Sequence, residues 1–167
     1  MPTEPNLQPP LDRMLGRWHV RVGPWVDGQW DLASATEANI EAIQQGRMLR
    51  ENGRYPGPDA VFEPETIHSF DPYRHVFRSA VLEETAGLMD IYEGSLEGGR
   101  LILTNEKSGT FYEQPDGGAI KFRFTYEFGD DDTFTLTIHQ SPATESDWQP
   151  FFRFEYERAG ALASDET

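Results

Sequence analysis

The fold class predicted is all-β: an up-and-down antiparallel barrel of about nine or ten strands with a short N-terminal helical turn. Three observations predict it. Apolar and polar residues alternate one for one over several long runs. The runs are separated by tight-turn residues, too short for the crossovers that parallel strands need. The apolar half of the strongest runs is largely aromatic, in a chain that is 13% Phe, Trp and Tyr.

From the N-terminus, Leu7 to Leu15 includes Pro9-Pro10 followed by Leu11, Met14 and Leu15 at helical spacing. This reads as a short helical turn placed to plug one barrel end. Trp18, Val20 and Val22 then alternate with Arg17, His19 and Arg21, the period-two pattern of a half-buried strand. The segment 33–45 has two readings. Ser34 and Glu37 are spaced as a helix capping box, with Gly46 as a stop. The run Arg47 to Gly53, however, fits a hairpin partner, and strand is the reading adopted. Further strands are expected at Ile67–Phe70, Val76–Leu82, Leu88–Leu96, Leu101–Asn105 and Gly109–Glu113. Asp71-Pro72, Gly98-Gly99 and Gln114 to Gly118 punctuate them. Ile120 to Phe128 and Phe134 to His139 alternate without a break around a Gly129 to Asp132 turn and make a hairpin. Phe152, Phe154 and Tyr156, alternating with Arg153, Glu155 and Glu157, form the last strand.

Composition narrows the function classes. With 167 residues the chain suits one domain, taken as 1–160, and the small polar residues 161–167 are expected to fray. Fourteen Lys and Arg against 29 Asp and Glu give a formal net charge of -15, which repels nucleic acid. The absence of cysteine removes disulfides, thiolate nucleophiles and sulfur-ligated metals. The first ten residues lack the basic and then apolar pattern of a signal peptide, and no run approaches about 18 apolar residues. A cytoplasmic protein with no membrane insertion is expected.

In a barrel without covering helices the apolar face points inward. Trp18, Phe122, Phe124, Tyr126, Phe128, Phe134, Leu136, Ile138, Phe152, Phe154 and Tyr156 are therefore assigned to the interior. They either pack as a solid core or line a pocket, with Phe124, Tyr126 and Phe154 as its apolar wall. In the middle strands polar residues share a face with apolar ones: His68 with Phe70, Arg78 with Val76 and Ala80, Asp90 with Leu88 and Tyr92. His68, Arg78, Asp90 and Tyr92 are the candidate groups for orienting a ligand. A buried Arg78 or Asp90 needs a partner, either the other residue or a charged ligand group; the alternative places each at a solvent-facing strand edge.

Of the four histidines, His19 and His139 fall on outward parity, His75 lies beside a turn, and only His68 is placed to face inward. No spacing resembles a metal motif, so no metal site is expected. No Gly-x-Ser-x-Gly elbow or phosphate-binding loop is present.

Gly16-Arg17-Trp18 at the start of the first strand, with Tyr156-Glu157-Arg158 ending the last, resembles the calycin superfamily of lipocalins, fatty-acid-binding proteins and related barrels. The resemblance implies that Trp18 packs beneath Arg158 in a structural cation–π contact that helps to close the barrel. Leu15-Gly16-x-Trp18, Gly46-Arg47-x-Leu49 and Phe70-Asp71-Pro72-Tyr73 together look most like a bacterial family of functionally uncharacterised single-domain calycin-like barrels. The haem-binding nitrobindins share Gly-x-Trp, but the alternating glycines that follow it there are replaced here by His19 to Trp25. His139 is the residue that compares with their haem ligand, and its parity is outward, so no haem or other cofactor is expected.

The function expected is binding of a small apolar or amphipathic molecule in an aromatic-lined cavity, by a monomer or homodimer. One alternative is an isomerase, cyclase or hydrolase using the same cavity, with His68 or Asp90 as general base and Arg78 stabilising an anion. The other is a protein-interaction module with a solid barrel and an exposed patch around Trp25, Trp30 and Trp148.

Overall fold

The computed structural model describes residues 6–56, 61–84 and 86–160. The C-terminal residues 161–167, expected to fray, lie outside the described residues. Ten strands form the barrel: β1 (Gly16–Val26), β2 (Ser34–Ile43), β3 (Met48–Gly53), β4 (Glu65–Asp71), β5 (Val76–Glu83), β6 (Leu88–Glu97), β7 (Arg100–Thr104), β8 (Ala119–Phe128), β9 (Thr133–Pro142) and β10 (Gln149–Arg158). Each pairs antiparallel with the next, and β10 returns to β1, with Trp18 opposite Arg158 and Pro24 opposite Phe152. The sheet is a closed meander, and closure removes the edge strands that would template association.

The segment 34–43 is a strand despite its helical local signals. Ala38 and Ile40 are buried while Glu37, Asn39 and Glu41 are exposed. The strand pairs with β1 on one side and β3 on the other, so ladder hydrogen bonds and one-sided burial override the capping-box pattern. The Gly109–Glu113 strand is corrected to a two-residue bridge at Tyr112–Glu113. Upstream of it Ser108 Oγ donates to the carbonyls of Ile91 and Asn105, and Gly109 takes a positive φ of 67°. Those bonds hold 105–110 in a tight turn.

At Gly98-Gly99 the β6–β7 hairpin takes positive φ at both residues, 58° and 79°, as a two-residue turn matching strand twist requires. The helical turn expected between Leu7 and Leu15 is a 3-10 turn at Leu11–Met14, with Leu11 and Met14 buried. The Trp18 indole N–H donates to the Met14 carbonyl at 2.8 Å, which ties the turn across the barrel end. Trp18 meets Phe134 edge-on at 4.8 Å, and Phe134 stacks on Tyr156 at 4.1 Å, so this end is filled by rings.

Outside that plug, the Arg158 guanidinium lies 4.3 Å from the Trp18 ring and donates to the carbonyls of Leu15 and Asp131. Gly16 is the residue that admits it. Its φ is +130°, and a Cβ there would fall 2.5 Å from Arg158 Nη1. The Gly-x-Trp spacing thus has a steric cause: the glycine makes room for the cation and the tryptophan supplies its platform. Replacing Arg158 with Ala is expected to destabilise the barrel by about 2 kcal/mol, through the lost cation–π contact and carbonyl bonds. Thermal unfolding should show Tm lower by about 4–8 °C.

Candidate functional site

Opposite the plugged end lies a cavity of about 310 Å³. Its wall is built by residues two apart on neighbouring strands: Phe124 and Tyr126 of β8, Leu136 and Ile138 of β9, and Phe152, Phe154 and Tyr156 of β10. This is the period-two alternation of those strands closed into a concave surface. Val81, Thr66 and Glu83 complete the far side, and Pro56, Phe62, Pro64 and Phe151 rim the cavity.

Glu51 of β3 also faces this cavity and is 6% exposed. Its Oε1 accepts hydrogen bonds from Tyr55 at 3.0 Å and Tyr156 at 2.7 Å, and its Oε2 lies 3.4 Å from His68 Nε2. His68 Nδ1 is in turn 2.7 Å from Ser79 Oγ, so five side chains from β3, the segment after it, β4, β5 and β10 form one buried polar chain. Burial pushes the Glu51 carboxyl up. His68, through its hydrogen bond and charge, and the two tyrosine hydroxyls outweigh burial and hold it below its ordinary value. Burial and then the Glu51 charge push the Tyr126 and Tyr156 phenols well up, as they do for Tyr55. The cavity thus pairs a carboxylate with neutral hydroxyl donors. Such a carboxylate has about four lone-pair directions, of which the described residues engage three.

The residues singled out from sequence divide among three places. Phe124, Tyr126 and Phe154 line the cavity. His68 is fully buried but stands behind Glu51 rather than on the cavity surface, with the Tyr126 ring edge-on at 5.9 Å. Tyr92 stacks on Phe124 at 3.9 Å and donates to Asp90. Asp90 belongs to a separate cluster: its carboxylate accepts from Thr110 Oγ1 and Asn105 Nδ2, and Asn105 Oδ1 accepts the Phe122 N–H. Of the two positions the sequence allows Arg78, the structure has the solvent-facing one. Phe77, Ser79 and Val81 take the inward parity of β5, which leaves Arg78 on the outer face with Val76 and Ala80. There it is held by Asp71 and Glu93, both at 2.7 Å, and not by Asp90. His68, Arg78 and Asp90 therefore do not converge, and the acid–base arrangement assembled from them in sequence is absent among the described residues.

His139 lies half-buried on the outer wall next to Arg123. Trp25 and Trp30 meet edge-on at 4.9 Å on a hairpin extending β1, and Trp148 lies under Lys121 and Arg123. Among the described residues no group of three or more His, Asp or Glu side chains is arranged to hold a metal, and no helix is long and apolar enough to cross a membrane.

Glu51, Tyr55 and Ser79 are the site residues that sequence reasoning missed. The signal was parity: Glu51 is two residues from Leu49, which is fully buried, so both point the same way.

A family model described as "Protein of unknown function (DUF1579)" matches residues 8–158, and the chain belongs to that family. No curated protein matches the chain significantly.

The Glu51 network has a pH signature. Because its folded pKa is lowered, the stability it contributes is present above the ordinary carboxylate pKa of 4.5 and is lost as pH falls through the lowered value. Glu51→Gln, which sets an amide against hydroxyl donors, is expected to cost about 1–3 kcal/mol at pH 7. Urea denaturation should show the gap from the wild type narrowing as the pH is taken from about 5 to about 3.

Proposed function

We propose that this member of the DUF1579 family binds a small apolar or amphipathic molecule inside its barrel, with the polar head of the ligand at Glu51. The observation that carries the reading is an aromatic-walled cavity of about 310 Å³ whose buried carboxylate keeps a free acceptor direction. That volume lies within the range of small-molecule sites and holds about ten water-sized units. Trp18 under Arg158 supports reading the barrel as calycin-like.

The chemistry at the head selects the ligand class. Glu51 is ionised at neutral pH and its neighbours Tyr55 and Tyr156 already donate to it, so a ligand must bring a donor of its own. A hydroxyl or an amine satisfies that condition. A carboxylate head would meet Glu51 as a like charge in a poorly solvated space, at a cost of several kcal/mol. The site is thus the inverse of a fatty-acid pocket: apolar tail, donor head.

Octylamine, 1-octanol and octanoate share one tail length and test the head directly. Near saturation the amine or the alcohol is expected to stabilise the protein by about 2–3 kcal/mol, read as a rise in Tm of several degrees, while octanoate gives no rise. Glu51→Gln should erase the preference for the amine. No shift with any of the three, or equal stabilisation by octanoate, would overturn the reading.

A further inference from the structure

The outer wall carries a second concavity, of about 430 Å³, where β7 to β10 meet the Trp25–Trp30 hairpin. Its charge runs against that of the chain. Arg100, Arg123, Arg153 and His139 gather there in a protein of formal net charge -15. The register accounts for the gathering: Arg123 of β8 is opposite His139 of β9, and Thr137 of β9 is opposite Arg153 of β10. All four fall on the parity opposite to Phe124, Ile138 and Phe154, so the groove and the inner cavity lie on the two sides of one wall.

Two independent observations mark a site. The first concerns partners. Many guanidinium groups of the outer surface are held by carboxylates: Arg21 by Glu155, Arg50 by Glu41, Arg78 by Asp71 and Glu93, and in the groove itself Arg153 by Glu155. Arg100 and Arg123 have no such ion pair among the described residues. Arg123 rests instead over the Trp148 ring at 4.9 Å; burial and then the charge of Arg100 lower its pKa, against the weaker opposing pull of Glu106 and Glu97. The one acid lining the groove, Glu127, is four residues along β8 from Arg123, roughly 13 Å away at strand rise. The second concerns unmet hydrogen bonds. Arg123 Nε, Thr137 Oγ1 and His139 Nδ1 are buried side-chain atoms without a partner among the described residues, and all three belong to this groove. Leaving such groups unpaired is costly, and an acceptor brought from outside would relieve it.

We propose that this groove binds a small organic anion: its carboxylate or phosphate is taken by Arg123 with Arg100 or Arg153 beside it, and its apolar part lies against Trp25 and Trp30. A guanidinium fork matches either oxyanion, and the half-exposed tryptophan pair offers an aromatic face. Thr137 and His139, freed to turn toward the anion, supply the remaining donors.

Benzoate, phenyl phosphate and inorganic phosphate are the probes, titrated against the intact chain with the indole N–H signals followed by NMR. Saturable shifts are expected at Trp25, Trp30 and Trp148 with at least one of the organic probes, while Trp18, sealed in the plug, stays still. A response to phenyl phosphate and inorganic phosphate assigns the head as phosphate; a response to benzoate alone assigns it as carboxylate. Arg100→Gln, at an exposed position, should weaken binding by about tenfold or more with Tm unchanged, and Arg123→Gln, half-buried over Trp148, should do so while the barrel stays folded by circular dichroism. Arg78→Gln, an outer-face arginine already held by two carboxylates, should bind as the wild type does. The proposal is overturned if none of the probes gives a saturable response, or if Arg123→Gln binds them as tightly as the wild type.

Discussion

Everything in this molecule depends on β10 finding β1. Ten antiparallel strands in simple succession make a curved ribbon with two open edges, and only the last pairing turns it into a vessel. The contact that marks this seam is Arg158 over Trp18. It joins the final residues of the last strand to the first residues of the first, and it draws in the Leu15 and Asp131 carbonyls. Because the guanidinium occupies the space above Gly16, the seam is stapled from outside while Met14, Leu11 and Phe134 fill it from inside. Closure makes inward and outward two different chemistries for the residues of the ten strands.

The inside is not uniformly apolar. An ionised carboxylate in a ring-lined space is costly unless its partners are fixed, and here they are fixed by strands far apart in sequence: Tyr156 lies 105 residues from Glu51 and His68 lies 17 away. A polar centre held from several directions specifies one register for β3, β4, β5 and β10, since a one-residue slip would turn Glu51 to solvent and leave two tyrosine hydroxyls unpaired.

How much of this was legible in the sequence follows from how one-sided the burial is. In β8 to β10 one face is almost wholly aromatic and the other polar, so Phe124, Tyr126 and Phe154 could be placed by counting in twos. In β5 both faces carry small apolar residues, and Val76 and Ala80 made the Arg78 face look like the inner one. Phe77 and Val81 decided otherwise, through contacts with neighbouring strands that no local pattern displays. At 34–43 the composition favours helix, and the strand exists because two neighbours claim its hydrogen bonds. Glu51 was hidden for a different reason. A glutamate in a short charged run reads as surface, and only the convergence of Tyr55, Tyr156 and His68 makes its burial tolerable.

The seams of the barrel are unequal. β8 and β9 pair over nine positions, Ile120 to Phe128, whereas β7 and β8 pair over four, Leu101 to Thr104. Where that short ladder stops, Asn105 continues it with one long backbone bond to the Phe122 carbonyl and with its side chain, which bonds the Phe122 N–H on one side and Asp90 on the other. Four rungs, one long backbone bond and a side-chain amide fasten this seam less firmly than nine rungs fasten the next, so β7 is the loosest stave beside β8. If the wall loosens to admit a molecule wider than its mouth, amide exchange along Leu101 to Thr104 will be the place where the breathing is seen, well before the Arg158 staple yields.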